Sequence, residues 1–192
     1  VHHCIDYRSQ DFEAEVGRLT RRHGVHVILD PVGGESFQKS YRCLAKTKEE
    51  GIAACQSALT WGLAPWRAEV IRQTLAAKLA NLVRLEEAVD VYRESARLLP
   101  KDAAAQLRLG SALLYFAADA AASEAPLREA LRLDPQNATA QATVAMALLA
   151  LGRLSEARGA FDEAVRLDPA YFEGRPGALH AYQAAQRGEV WP

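Results

Sequence analysis

Apolar residues over roughly Val70 to Arg187 recur with helical spacing, and three stretches of that pattern answer one another. Arg84-Leu85-Glu86-Glu87-Ala88 runs through Tyr92 to Leu98-Leu99-Pro100. Ser123-Glu124-Ala125 runs through Leu127 and Ala130 to Leu133-Asp134-Pro135, and Leu154-Ser155-Glu156-Ala157 runs through Phe161 and Ala164 to Leu167-Asp168-Pro169. The closing prolines recur about every 34 residues, so each unit is one supersecondary element that buries its apolar face only against its neighbours. Within the last unit, Ala145 and Ala157 are small enough to let two antiparallel helices touch. Val144 and Leu148 point one way, and Phe161 fills the gap between them. Gly152 supplies the positive φ that ends the first helix, and Pro169 stops the second. The middle unit places Gly110 at the close approach beside Leu109 and Leu113, with Ala130 opposite. The first unit uses Ala76 and Ala88 with Leu75, Leu79 and Tyr92.

Pro126 breaks the middle unit's pattern. An interior proline costs about 3 kcal/mol or more. Ser123 can cap a helix that starts late and leave Pro126 in its first turn, which predicts a long turn over 117–122 and a shortened second helix, with a kinked full-length helix as the alternative. Beyond the last unit, Pro176 to Arg187 reads as a capping helix with Leu179 and Tyr182 on one face and Gly188 as its stop.

The period and the small/aromatic/small/proline order resemble the tetratricopeptide repeat family. The resemblance implies an α-solenoid of helical hairpins, with repeats at about 69–102, 103–137 and 138–171 and a cap at 176–187, all within a repeat domain over 67–192. It also implies a groove lined by the first helix of each repeat. Carried onto this chain, the partner-binding positions are Gln73, Asn81, Leu107, Ser111, Leu114, Tyr115, Met146 and Leu149, with Ala77, Ala80 and Ala142 between them. The basic and amide residues with which chaperone-binding members hold a C-terminal carboxylate are replaced by Gln73, Leu107, Ala142 and Met146. The expected ligand is therefore an amphipathic helix or apolar extended segment of a protein, with Tyr115 and Met146 as anchors. The same small apolar residues also suit contact with a neighbouring helix of the chain itself.

Residues 1–45 have a different grammar. Cys4 to Arg8 reads as the end of a strand, Asp11 to Arg22 as an amphipathic helix, and Val25 to Asp30 as a buried strand. The turn Pro31-Val32-Gly33-Gly34 follows, and Ser36 caps a helix over Phe37 to Leu44. This is a βαβ, Rossmann-like fragment, so the expected fold class is mainly α with a small N-terminal βαβ remnant. The run Ile5-Asp6-Tyr7-Arg8, Asp11-Phe12 and Val27 to Phe37 resembles the cofactor domain of medium-chain alcohol dehydrogenases and quinone oxidoreductases. The resemblance implies a nicotinamide-facing wall at Asp30 to Gly34. The family's G-x-G-x-x-G and its catalytic domain are absent from this sequence, so no cofactor and no catalytic residue is assigned. Between the parts, 46–66 reads as a degenerate half repeat, with Glu49-Glu50-Gly51-Ile52 mirroring Glu86-Glu87-Ala88-Val89 and Cys55 in the place of Tyr92. Fusion of a dehydrogenase piece onto a repeat array accounts for the junction, and a start at Val1 reads as a fragment of a longer chain.

Composition narrows the function further. A formal charge of −1 leaves no basic field for a phosphate backbone, so nucleic acid is not an expected partner. No stretch has the apolar length of a membrane span or the charged start of a secretory signal. Cys4, Cys43 and Cys55 lack paired spacing and read as free thiols of a cytoplasmic protein. His2, His3, His23 and His26 cluster near Cys4, but neighbours on a strand point to opposite faces, and no metal site is assigned. The expectation is a scaffold for protein binding, with a remnant or subunit of an NAD(P)-dependent oxidoreductase as the alternative. Exposed strand edges and repeat ends are the surfaces through which the chain would associate with itself.

Overall fold

The computed structural model describes residues 11–21, 48–60 and 62–188, and every regular element among them is an α-helix. The strands expected at Cys4 to Arg8 and Val25 to Asp30, and the helix expected at Phe37 to Leu44, lie outside the described residues. The chain divides into two compact units, 1–84 and 85–192. The boundary falls between the two helices of the expected first repeat.

The first unit contains α1 (Phe12–Leu19), α2 (Lys48–Leu59) and α3 (Pro65–Asn81). α2 packs against α3. Ile52, Cys55 and Ala58 repeat at helical spacing on α2 and are buried, as are Ile71, Leu75, Ala76 and Leu79 on α3. This stretch is therefore helical, with Cys55 in the core. Pro65 starts α3, where its missing N–H costs nothing. At the other end Arg84 N–H donates to Leu79 O (3.0 Å) and Val83 N–H to Ala80 O (2.9 Å), the paired bonds of a Schellman turn. That turn puts Val83 at φ 60, a conformation in which a β-branched side chain is strained.

The second unit runs α4 (Leu85–Leu98), α5 (Ala103–Tyr115), α6 (Ala120–Leu133), α7 (Ala138–Ala150), α8 (Leu154–Leu167) and α9 (Pro176–Arg187). Successive helices α4 to α8 pack on one another as hairpins, and α5 also reaches α7. Asp102 caps α5 by accepting from Ala104 N–H (2.8 Å) and Ala105 N–H (3.1 Å), and Asn137 caps α7 by accepting from Ala140 N–H (3.0 Å). Gly152, at φ 73, ends α7 in a second Schellman turn, with Arg153 N–H donating to Leu148 O (2.9 Å). Ala145, Leu148, Ala157 and Phe161 then share one buried cluster, as the repeat pattern requires, and Leu149 joins them.

Three expectations are corrected in this unit. The long turn over 117–122 is shorter, and α6 is a full helix beginning at Ala120. Asp119, not Ser123, is its cap, accepting from Ala122 N–H at 2.8 Å after Ala118 turns the chain at φ 52. Ser123 is wholly buried, its Oγ donating to Ala120 O (2.8 Å), and Pro126 sits in the helix interior. Its cost is borne by the packing around it, since Leu127 and Ala130 beside it are fully buried. The second concerns Gly110, whose nearest neighbour across the hairpin is Leu127. Third, the face that α9 buries is Ala181, Ala184 and Ala185 with Tyr182, while Leu179 is 38% exposed. Small residues let α9 lie close on α7 and α8, and Tyr182 stacks on Phe172 (5.1 Å) and meets Phe161 edge-on (5.7 Å). Its hydroxyl donates to Asp162 Oδ1 at 3.1 Å.

A Cβ at position 110 would lie 2.5 Å from Leu127 Cγ and 2.6 Å from its Cδ2, and Leu127 has no room to move. Gly110→Ala is therefore expected to destabilise the protein by about 1–3 kcal/mol, seen as a lower urea midpoint. Val83→Gly removes the strain at φ 60 and is expected to stabilise by about 1 kcal/mol in the same measurement.

Candidate functional site

Gln73 and Asn81 belong to the first unit, and the other six groove positions belong to the second. On α3, Gln73 is half-buried and its amide donates to Glu69 Oε1 (3.1 Å), while Arg72 Nη1 donates to Glu69 Oε2 (3.2 Å). Asn81 is exposed. The exposed residues Trp66, Val70, Thr74 and Ala77 precede it at spacings of three or four, so one face of α3 is outward and nearly free of charge. Arg67 lies over the Trp66 ring at 5.0 Å.

On α5, Leu107, Ser111, Leu114 and Tyr115 fall at i, i+4, i+7 and i+8, which is one helical face. The rest of the helix is occupied. Gly110 meets α6, and Ala112 and Leu113 are buried with Val89, beside Leu109, Tyr92 and Phe116. Leu107, Ser111 and Leu114 are half-buried and Tyr115 is 54% exposed. The next first helix, α7, presents half-buried Met146. Leu149 is corrected: it is wholly buried in the cluster with Ala157 and Phe161, so it belongs to the core between α7 and α8 and not to the groove. Ala142 is likewise buried, beneath Tyr171. The six positions of the second unit thus reduce to five surface residues, four on α5 and one on α7.

The exposed Tyr115 ring ends in a polar neighbourhood. Burial of its hydroxyl end pushes the phenol above the ordinary tyrosine value, nearby Tyr171 adds to the shift, and a hydrogen bond with Thr143 opposes it. Tyr171 is raised too, first by burial, with Arg175 opposing, Asp168 adding and a Thr139 hydrogen bond opposing. Thr143 is itself buried, and its Oγ1 donates to Thr139 O (2.7 Å). Sequence reasoning missed Thr139, Thr143 and Tyr171. The register signals Thr139, which lies seven residues before Met146 and so on the same face. Tyr171 lies in a turn, where no period marks it.

Among the described residues no three His, Cys, Asp or Glu side chains gather as metal ligands would, and no helix is long and apolar enough to cross a membrane. His2, His3, His23, His26 and Cys4 lie outside the described residues, as does the Asp30 to Gly34 turn. Burial pushes the Cys55 thiol up, with Lys78 opposing, so the group is held in its unreactive form.

A family model for zinc-binding dehydrogenases matches residues 1–133. A 2-haloacrylate reductase from a Burkholderia species is 44% identical over 43 residues, which is 22% of this chain and 13% of that protein. The chain thus spans a small part of that relative. Among solved structures, the first TPR domain of Spaghetti (RPAP3) bound to the HSP90 peptide SRMEEVD matches with a TM-score of 0.53 at 21% identity, over 62% of this chain and 93% of that one. MamA from residue 41 to its end, of Desulfovibrio magneticus RS-1, matches with a TM-score of 0.58 at 18% identity, over 93% of this chain and 92% of that one. The helices have the tetratricopeptide fold.

A phenol whose folded pKa is raised gives the unfolded chain an advantage once pH passes the ordinary value of 10.0. The contribution of Tyr115 and Tyr171 to stability is therefore complete below that pH and lost as pH rises through the folded values. Urea midpoints measured from pH 8 to pH 11 are expected to fall on the alkaline side, and the Tyr115→Phe, Tyr171→Phe double variant to fall less steeply.

Proposed function

The chain belongs to the zinc-binding dehydrogenase family, and we propose that its tetratricopeptide helices make it a scaffold that binds an uncharged apolar helix or extended segment of another protein. The observation that carries this reading is the composition of α7, Ala-Thr-Ala-Gln-Ala-Thr-Val-Ala-Met-Ala-Leu-Leu-Ala, which has no charged residue in 13. α5 carries only Arg108. The second helices of the hairpins carry the charge, in pairs such as Glu94–Arg97 on α4, Glu129–Arg132 on α6 and Glu163–Arg166 on α8. A partner carboxylate seated on α7 would lose water without meeting a cation on that helix, which costs several kcal/mol. An apolar face loses nothing there, and Tyr115 and Met146 offer an adaptable surface to it. The repeat boundaries 69–102, 103–137 and 138–171 are part of this proposal.

The zinc and nicotinamide implied by the family name do not fit the described residues. No ligand cluster gathers among them, and their helices bury alanine and leucine where a dinucleotide needs a strand-to-helix turn. The family match and the 43-residue identity nonetheless favour one second reading, a nicotinamide-dependent role resting on residues 1–45.

Screening the full chain against immobilised peptides is expected to select uncharged amphipathic sequences over SRMEEVD. Tyr115→Glu and Met146→Glu should each weaken the selected peptide at least about tenfold, a change of ~1.4 kcal/mol. Undiminished binding by both variants would sink the assignment of this surface. For the second reading, protein fluorescence is expected to show no saturable change up to millimolar NADPH; saturation would establish it.

A further inference from the structure

We draw no further inference here: the strongest candidate, the outward surface patch of α3 that runs from Trp66 through Val70, Thr74 and Ala77 to Asn81, carries nothing because nothing in the structure shows what covers it.

Discussion

The second unit depends on how closely its paired helices approach. Between α5 and α6 the gap is too small for a methyl group, and Gly110 against fully buried Leu127 is the contact that sets it. Between α7 and α8 the spacing is set by alanine, with Ala145 and Ala157 wholly buried beside Phe161. Close packing of this kind leaves little volume for a larger residue and penalises a smaller one, so the small positions decide the hairpin geometry. The interior proline of α6 is tolerated within the same framework, because the residues that follow it are locked against α5.

Chemistry follows from that spacing. First helices that are crowded on several sides are left with small and apolar side chains, and α7 buries Ala140, Ala142, Thr143, Ala145, Ala147, Leu148 and Leu149. Charge is displaced to the second helices, where glutamate and arginine pair three residues apart at the surface. Such exposed pairs add little stability, and their service is to keep the outer face in water. Arg153 is different in reach. It joins Glu156 of its own helix to Glu124 of α6 at 2.8 Å and so links one hairpin to the next. Within the second unit the result is a sorted surface, with one charge on α5 and none on α7 against the ionic second helices.

Much of this was legible in the sequence because a repeat reports on itself. Gly110, Gly152, Ala145, Ala157 and Phe161 could each be assigned a physical role from period alone, and the structure places each in that role. Two kinds of residue escaped. Leu149 takes its place in the groove from the family resemblance alone, and the structure buries it wholly in the cluster with Ala157 and Phe161. Ser123 has capping chemistry that Asp119 has equally well, and residue type alone does not rank two oxygen acceptors four residues apart near a helix start. Tyr171 acts on a residue 29 positions before it through a turn, a contact that no local pattern encodes.

The caps of the second unit have a bearing on how the chain comes to be folded at all. Asp102, Asp119 and Asn137 begin α5, α6 and α7 through bonds to amides two or three residues away, whereas α3, α8 and α9 begin without a side-chain cap. A helix start that closes on itself needs nothing from the rest of the molecule. In a linear array where each hairpin touches only its neighbours, such starts are where order can begin. The middle three helices can therefore nucleate independently of the ends. α8 and α9 lack that local closure, so the order of their first turns depends on docking against their neighbours.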